Sequence, residues 1–224
     1  MTYRLYLYPN SYALTVHAVL EELALDHELK WVGIFQDTPD PDLLKVSPHS
    51  RVPALEGDNL VLFETGAIAL YLAEQHGDGT LLIPPGDPRR GLFLQWFHYL
   101  ATTLQPDVMI QFHPEVYFDD AATQARLSAS SMERLDKVHR TLDAALTEGP
   151  WFFGETLTVL DFLLGMQGTW PEIYPDSIEN YPNIARHQRA LLERPSARRT
   201  LDIHRAKIRE RGDELVVAIE PEGW

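Results

Sequence analysis

The sequence predicts an α/β domain followed by an all-α helical bundle. Strand-like and helix-like segments alternate up to about residue 83, in the order β-α-β-α-β-β-α. The Pro/Gly-rich stretch "LLIPPGDPRR" then breaks the pattern. After Pro88 the apolar residues recur almost wholly at helical spacing. The expected division is therefore a first domain over 1–83, a linker over 84–88 and a helical domain over 89–224.

The elements follow in order. "YRLYLY" (Tyr3 to Tyr8) is aromatic and aliphatic without a breaker and reads as a strand. The turn Pro9-Asn10-Ser11 leads into a helix to about Ala24, with Val16, Val19, Leu20 and Leu23 at helical spacing. "HELKWVGI" reads as a second strand, and "DPDLLKVSP" as a short helix that stops before Pro48. "PALEGDNLVLFE" reads as two strands joined by a tight turn at Gly57-Asp58-Asn59. "ETGAIALYLAEQHG" is a helix ending near Gly77. Beyond the linker, one aromatic-rich helix is expected from about Arg89 to Phe112. A second runs from about Ala121 to Leu146 with Leu127, Leu135, Val138, Leu142 and Leu146 on one side. "TLTVLDFLLGMQG", "NIARHQRALLER" and "SARRTLDIHRAKIRER" supply three more. The terminal "VVAIEPEGW" has no clear period.

Composition narrows the function. The chain has 224 residues, 45% of them hydrophobic and 23% charged, enough for a sizeable core. A formal net charge of -14 speaks against nucleic-acid partners and against docking on anionic lipid. An anionic ligand must then be held by local donors working against the global field. With no cysteine, disulfides, thiolate zinc sites and a cysteine nucleophile are excluded. No basic-then-apolar leader opens the sequence, and no apolar run approaches the ~20 residues that span a bilayer. A cytoplasmic protein with no membrane partner and no metal is expected.

Four segments draw attention. In "HSRVPALE", Pro53 cannot donate to a ladder and marks the entry to a strand. It is read as an ordinary trans proline or as a cis turn that presents the Val52 backbone to a ligand. In "FETGAIALYL", Glu64, Thr65 and Gly66 open a helix. The first N–H groups of a helix lack internal partners and bind carboxylates, while Glu64 can pair with an ammonium. An amino-acid head group needs that combination, although capping alone also explains it. The turn at Asn10 and Ser11 caps a helix whose positive end would also lower a thiol pKa. Since the chain has no cysteine, that thiol would come with the ligand. "TLTVLDFL" is read as a structural capping box between Thr158 and Asp161.

Taken in order, the strand–turn–helix "YPNSYALTVHAVLEEL", the "SRVPALE" segment, the "FETGAIALYLAE" helix start, the proline-rich linker, "TLTVLDFL" and "YPNIARHQRALLERPSARRTL" resemble the cytosolic glutathione transferases. The likeness is to the bacterial type with a serine or asparagine in the active-site turn, and it covers nearly the whole chain. It implies a thioredoxin-like first domain, an all-helical second domain, a homodimer and glutathione as co-substrate. Val52, beside a cis Pro53, would make backbone hydrogen bonds to the ligand's cysteinyl unit. Glu64 and Thr65 would hold its γ-glutamyl end. Arg51 and His49 lie near the expected glycyl carboxylate, with Lys45 another candidate cation.

For the group facing the sulfur, the tyrosine-type position falls on Leu7, flanked by Tyr6 and Tyr8, and is not matched. The cysteine-type position falls on Tyr12 and the serine-type position on Ser11, while Asn10 offers an amide donor at the same helix end. Ser11 is placed first, Asn10 second and Tyr12 third. The resemblance also implies that a small apolar electrophile sits between the domains, with walls drawn from Trp96, Tyr99, Met109, Phe112, His113 and Tyr117. The expected reaction is thiolate attack on such an electrophile, a detoxifying chemistry. Glutathione-dependent reduction of a disulfide or peroxide, and a non-catalytic binding role for the same fold, are the alternatives.

Overall fold

The computed structural model describes residues 2–34, 40–146 and 148–220. The first seven elements occur in the expected order: β1 (Tyr3–Leu7), α1 (Ala13–Glu22), β2 (His27–Trp31), α2 (Pro41–Val46), β3 (Ala54–Gly57), β4 (Leu60–Phe63) and α3 (Thr65–His76). The four strands form one mixed sheet in the order β2-β1-β3-β4. β1 runs parallel to β2, with Leu5 opposite Leu29, and antiparallel to β3, with Tyr6 opposite Ala54. Ala54 in turn faces Phe63 of β4. β1 is one of the two inner strands, and its side chains are buried at every position but Arg4. Leu5, Leu7, Leu14, Leu20, Leu55, Ile68 and Leu72 form the dry centre of this unit.

Local chemistry sets the helix ends. α2 starts where the Asp40 carboxylate accepts the N–H groups of Asp42 (2.9 Å) and Leu43 (3.4 Å), with Pro41 at its first position. α3 ends at Gly77, where a β-carbon would lie 2.5 Å from the Ala73 carbonyl oxygen.

The helical elements are α4 (Arg90–Tyr99), α5 (Gln105–Phe112), α6 (Ala121–Ala145), α7 (Val159–Gln167), α8 (Pro182–Leu192) and α9 (Pro195–Glu210). The single helix expected over 89–112 is interrupted by a π-helical turn at Leu100–Leu104. Pro106 accounts for it: its ring clashes with the carbonyl four residues back and it has no N–H to give, so the ladder widens before it. α8 begins under the Asp143 carboxylate of α6, which accepts from the N–H groups of Asn183 (2.7 Å) and Ile184 (3.0 Å). The capping box of α7 is present in both halves. Ala218 N–H donates to Thr169 O at 2.7 Å, which docks the start of the terminal segment; 221–224 lie outside the described residues.

Two compact units result. One comprises Met1–Leu82 together with Leu192–Leu215, the other Ile83–Leu191 with the remaining C-terminal residues. The break near residue 83 is where the sequence texture changes, but α9 lies with the first unit and packs along α1. Helical spacing announces α9 as a helix without indicating its neighbour, so the expected 89–224 block differs from this division. Glu22 at the end of α1 fastens the start of α9. It accepts from Arg194 Nε at 3.1 Å and from Ser196 Oγ at 2.5 Å.

Candidate active site

Strand register gathers three predicted segments at one end of the sheet. Because Ala54 pairs with both Tyr6 and Phe63, the residues just beyond those pairs share that end. They are Tyr8 to Ser11 after β1, Val52-Pro53 before β3, and Glu64-Thr65 after β4. The Val52–Pro53 peptide is cis, the second of the two readings of that proline. The Val52 side chain packs on the cluster of Tyr6, Val32, Leu43, Val46 and Ala54.

Glu64 precedes α3 with φ 76°, a left-handed backbone that non-glycine residues rarely adopt. Its carbonyl still accepts the first helical bond from Ile68 N–H at 3.0 Å. No side chain caps the helix. The carboxylate of Glu64 is exposed and Thr65 is buried at the first helical position. The N-terminal N–H groups of α3 and an adjacent acid thus stand together, ready for a zwitterionic head group.

The β1–α1 turn is more elaborate than a cap. Asn10 takes φ 50°. Ser11 Oγ–H donates to Tyr8 O at 2.7 Å, and Ser11 Oγ accepts from Ala13 N–H at 3.3 Å. The hydroxyl therefore braces the turn and takes up the N–H of Ala13, the first residue of α1. It reaches a ligand sulfur only by turning its hydrogen away from Tyr8. The Tyr12 ring is buried. Asn10 N–H donates to Nδ1 of His204, from α9, at 3.1 Å.

The three predicted cations differ. His49 and Arg51 are exposed on the loop that leads to Val52, and Arg51 N–H donates to Ser47 Oγ at 3.1 Å. Lys45 is paired with Asp42 at 2.8 Å, which holds its ammonium above the usual range.

The six predicted wall residues all lie in the second unit. Trp96 is half-buried, with its ring edge-on to Tyr99 and tilted on Phe152, both at 5.4 Å. Phe112 packs edge-on to Trp170 at 5.4 Å. Met109 is half-buried and its carbonyl accepts His113 N–H at 2.9 Å. His113 Nδ1 lies 3.1 Å from Glu115 Oε1. Tyr117 is exposed beside Val116 and Phe118.

Sequence reasoning missed a buried histidine group beneath the turn. His204 Nε2 lies 3.3 Å from His17 Nδ1. His17 Nε2 lies 3.7 Å from Glu21 Oε1, and His27 Nε2 lies 3.6 Å from the same oxygen. The available signal was a histidine set inside the apolar stripe Ala197-Leu201-Ile208 of α9. Burial holds His17 down to about 2, with help from nearby His204, His27 and Arg199, and holds His204 down to about 3.

The ligand atoms of His17, Glu21 and His27 lie within 4.8 Å of one another, a spacing that invites a metal ion. The proton arrangement opposes it. Asn10 N–H donates to His204 Nδ1, so the neutral ring carries its proton on Nε2 and donates it to His17 Nδ1. The proton of His17 is then on Nε2, the atom a metal would need. Metal uptake would have to reverse this pair and release Asn10, so these residues do not fit a resident metal.

Comparison with known proteins agrees with this fold. The model of the glutathione S-transferase N-terminal domain matches residues 1–74, and that of the C-terminal domain matches residues 106–198. Glutathione S-transferase GstB of Escherichia coli is 32% identical over 200 residues, covering 82% of this chain and 89% of the relative. Disulfide-bond oxidoreductase YfcG of Escherichia coli is 31% identical over 173 residues, covering 73% and 74%. A glutathione transferase homologue from Sulfitobacter, solved with bound glutathione, superposes with a TM-score of 0.78 at 24% identity, covering 94% of this chain and 98% of that one. With its sheet, its helices and both domain models in agreement, the chain belongs to the glutathione S-transferase family.

Proposed function

We propose that this chain binds glutathione on its first unit and activates the thiol for attack on a small apolar electrophile. The observation that carries the reading is the start of α3, where a helix without a side-chain cap stands beside the exposed carboxylate of Glu64. The helix N–H groups suit the α-carboxylate of the γ-glutamyl end, and Glu64 suits its ammonium. Val52, before cis-Pro53, offers its backbone to the cysteinyl unit. Arg51 and His49 stand on the side where the glycyl carboxylate would lie.

The sulfur then meets the N-terminus of α1. A free thiol titrates near about 8.5, so most of it is protonated at neutral pH. The helix end and the donors of Asn10 and Ser11 favour the thiolate, with the thiol proton passing to solvent. The sulfur lone pair forms the new carbon–sulfur bond. The leaving group departs with its bonding pair, and proximity supplies much of the rate. In the resting turn the Ser11 hydrogen faces Tyr8, so Ser11 serves the sulfur only after its hydroxyl turns, and Asn10 is the second candidate donor. The buried Tyr12 has a packing role. We assign the apolar walls to the second unit, with Trp96, Tyr99, Met109, Phe112, His113 and Tyr117 as candidates. A homodimer in the cytoplasm and a detoxifying role complete this reading. Among the described residues no helix is long and apolar enough to cross a membrane.

Glu64→Ala is expected to raise the dissociation constant for glutathione by about tenfold or more, since a charge-assisted contact is worth about 1.5–3 kcal/mol. Titration calorimetry reads this directly, and unchanged affinity would remove Glu64 from the site. Ser11→Ala is expected to lower turnover with an activated aryl chloride more than it weakens glutathione binding. Equal turnover would leave Asn10 as the sulfur's donor.

One second reading has specific support, because a relative of 31% identity is a disulfide-bond oxidoreductase. The same turn would serve reduction of a disulfide by two glutathione molecules, which release glutathione disulfide. Turnover of a small mixed disulfide faster than of the aryl chloride would favour it. The intact set of Val52, Pro53, Glu64 and Thr65 speaks against a purely structural role.

A further inference from the structure

We propose that His204, carried by the last helix, is a positioning residue for the thiol-activating turn: it accepts the Asn10 N–H on Nδ1 and so fixes the left-handed backbone that aims Asn10 and Ser11 at the sulfur. The inference rests on the reading of this turn as the thiol site.

Asn10 sits at φ 50°, a left-handed region that asparagine enters more readily than other non-glycine residues and that a contact to its N–H can hold in place. That contact comes from 194 residues away in sequence, at 3.1 Å. His204 is fully buried, so no water competes for its Nδ1. Its other nitrogen donates to His17 Nδ1 at 3.3 Å, and Trp31 stands edge-on to the ring at 5.1 Å. These two contacts leave the imidazole one tautomer and one orientation. A neutral acceptor is thereby held at a set point under the turn, a device that orients a working group through its neighbour.

α9 is itself fixed at both ends. Glu22 ties down Arg194 and Ser196 at its start. At its other end Arg211 donates to Tyr8 Oη at 3.0 Å and lies over that ring at 4.9 Å. Tyr8 and Asn10 flank Pro9, so α9 grips the turn on both sides. A small displacement there moves the sulfur's donors, and a misplacement of about 1 Å can cost about a hundredfold in rate.

The matched variants His204→Asn and His204→Gln test this in the full-length protein. The Asn amide oxygen is as many bonds from Cα as Nδ1, so it can still accept from Asn10. The Gln amide reaches only the Nε2 position, where its NH2 can keep the donation to His17 Nδ1 instead. Both are buried amides, so a merely structural role predicts equal behaviour. Three quantities are read: the thiolate absorbance of bound glutathione against pH, kcat and KM for glutathione with an activated aryl chloride, and hydrogen exchange of the Asn10 amide without ligand.

His204→Gln is expected to raise the bound thiol's pKa by about one unit and to lower kcat below pH 7 about tenfold, with KM within about twofold. Its Asn10 amide should exchange at least about tenfold faster than in the wild type. His204→Asn should stay within about threefold of the wild type in each. Equal behaviour of the two variants, or an unchanged thiol pKa in His204→Gln, overturns the proposal. So does imidazole nitrogen NMR that finds the His204 proton on Nδ1 in the wild type. If the wild type binds no glutathione, the thiol-site reading fails and this inference with it. The Asn10 amide, read without ligand, still reports whether the hydrogen bond exists.

Discussion

Asp161→Ala is expected to lower the unfolding free energy by about 3–5 kcal/mol, the cost of removing the shared acceptor of a buried hydrogen-bond network. The carboxylate is fully buried at the third position of α7 and serves four donors. One oxygen accepts from Phe152 N–H at 2.6 Å and His187 Nε2 at 3.1 Å; the other accepts from Thr158 N–H at 2.7 Å and Thr158 Oγ1 at 2.9 Å. Alanine leaves those groups in a dry interior with no replacement, since Val159, Leu160, Phe162 and Leu163 surround the position in sequence and are themselves buried. Urea denaturation followed by tryptophan fluorescence reads the change. At this chain length it corresponds to a melting temperature lower by about 10 °C. A loss below about 1 kcal/mol would show that the network is an ordinary cap. Glutathione affinity of the folded fraction should be unchanged, because Asp161 lies in the second unit.

The second large effect is a loss of stability in mild acid. His17, His204 and His139 are held neutral by burial, down to about 2, about 3 and about 4. In the unfolded chain each titrates near 6.5. The unfolded state therefore binds more protons below that value, and stability falls as pH drops. The contribution is complete above about 6.5 and is lost towards the folded-state values. The slope reaches about 1.4 kcal/mol per pH unit for each histidine. Three such groups remove several kcal/mol between about pH 6 and pH 5, against a total of about 5–15 kcal/mol for a folded domain. Carboxylates held low by partners, such as Asp136 beside Arg140 and Tyr181, add their loss only below about pH 4. Unfolding free energies measured at pH 7, 6 and 5 separate the two windows. A flat profile over that range would show that these rings are protonated in the folded state.

The two halves of the molecule were legible in the sequence to different depths. β1 to α3 could be read in order because each short element carries its own punctuation: Pro41 opening α2, the Gly57-Asp58-Asn59 turn, and Gly77 closing α3. The capping box at Thr158 was legible for the same reason, since both partners lie within one turn of helix. The candidate feature at Glu64 was legible as chemistry, because a helix start and an acid are adjacent in the chain. What stayed hidden was anything that depends on which elements meet. His204 read as one more residue of an amphipathic helix, because periodicity fixes which side faces inward but not what it faces. The π turn at Leu100–Leu104 was hidden too, because Pro106 in a helical stretch announces only a disturbance. That turn matters for reading the aromatic helix. One added residue per turn rotates everything after it, so Trp96 and Tyr99 cannot be placed on one straight wheel with Met109 and Phe112.

The pairing of α1 with α9 also sets a timetable. His17 and His204 are 187 residues apart. At about 5–20 residues per second, a ribosome takes roughly ten to forty seconds to add that stretch. For the later part of that interval the sheet and its first helices are complete in sequence, but the side of α1 that α9 covers has no partner. A chain halted before residue 195 would present an uncovered apolar face and a β1–α1 turn without its acceptor. The first domain to leave the ribosome is thus the last to be completed.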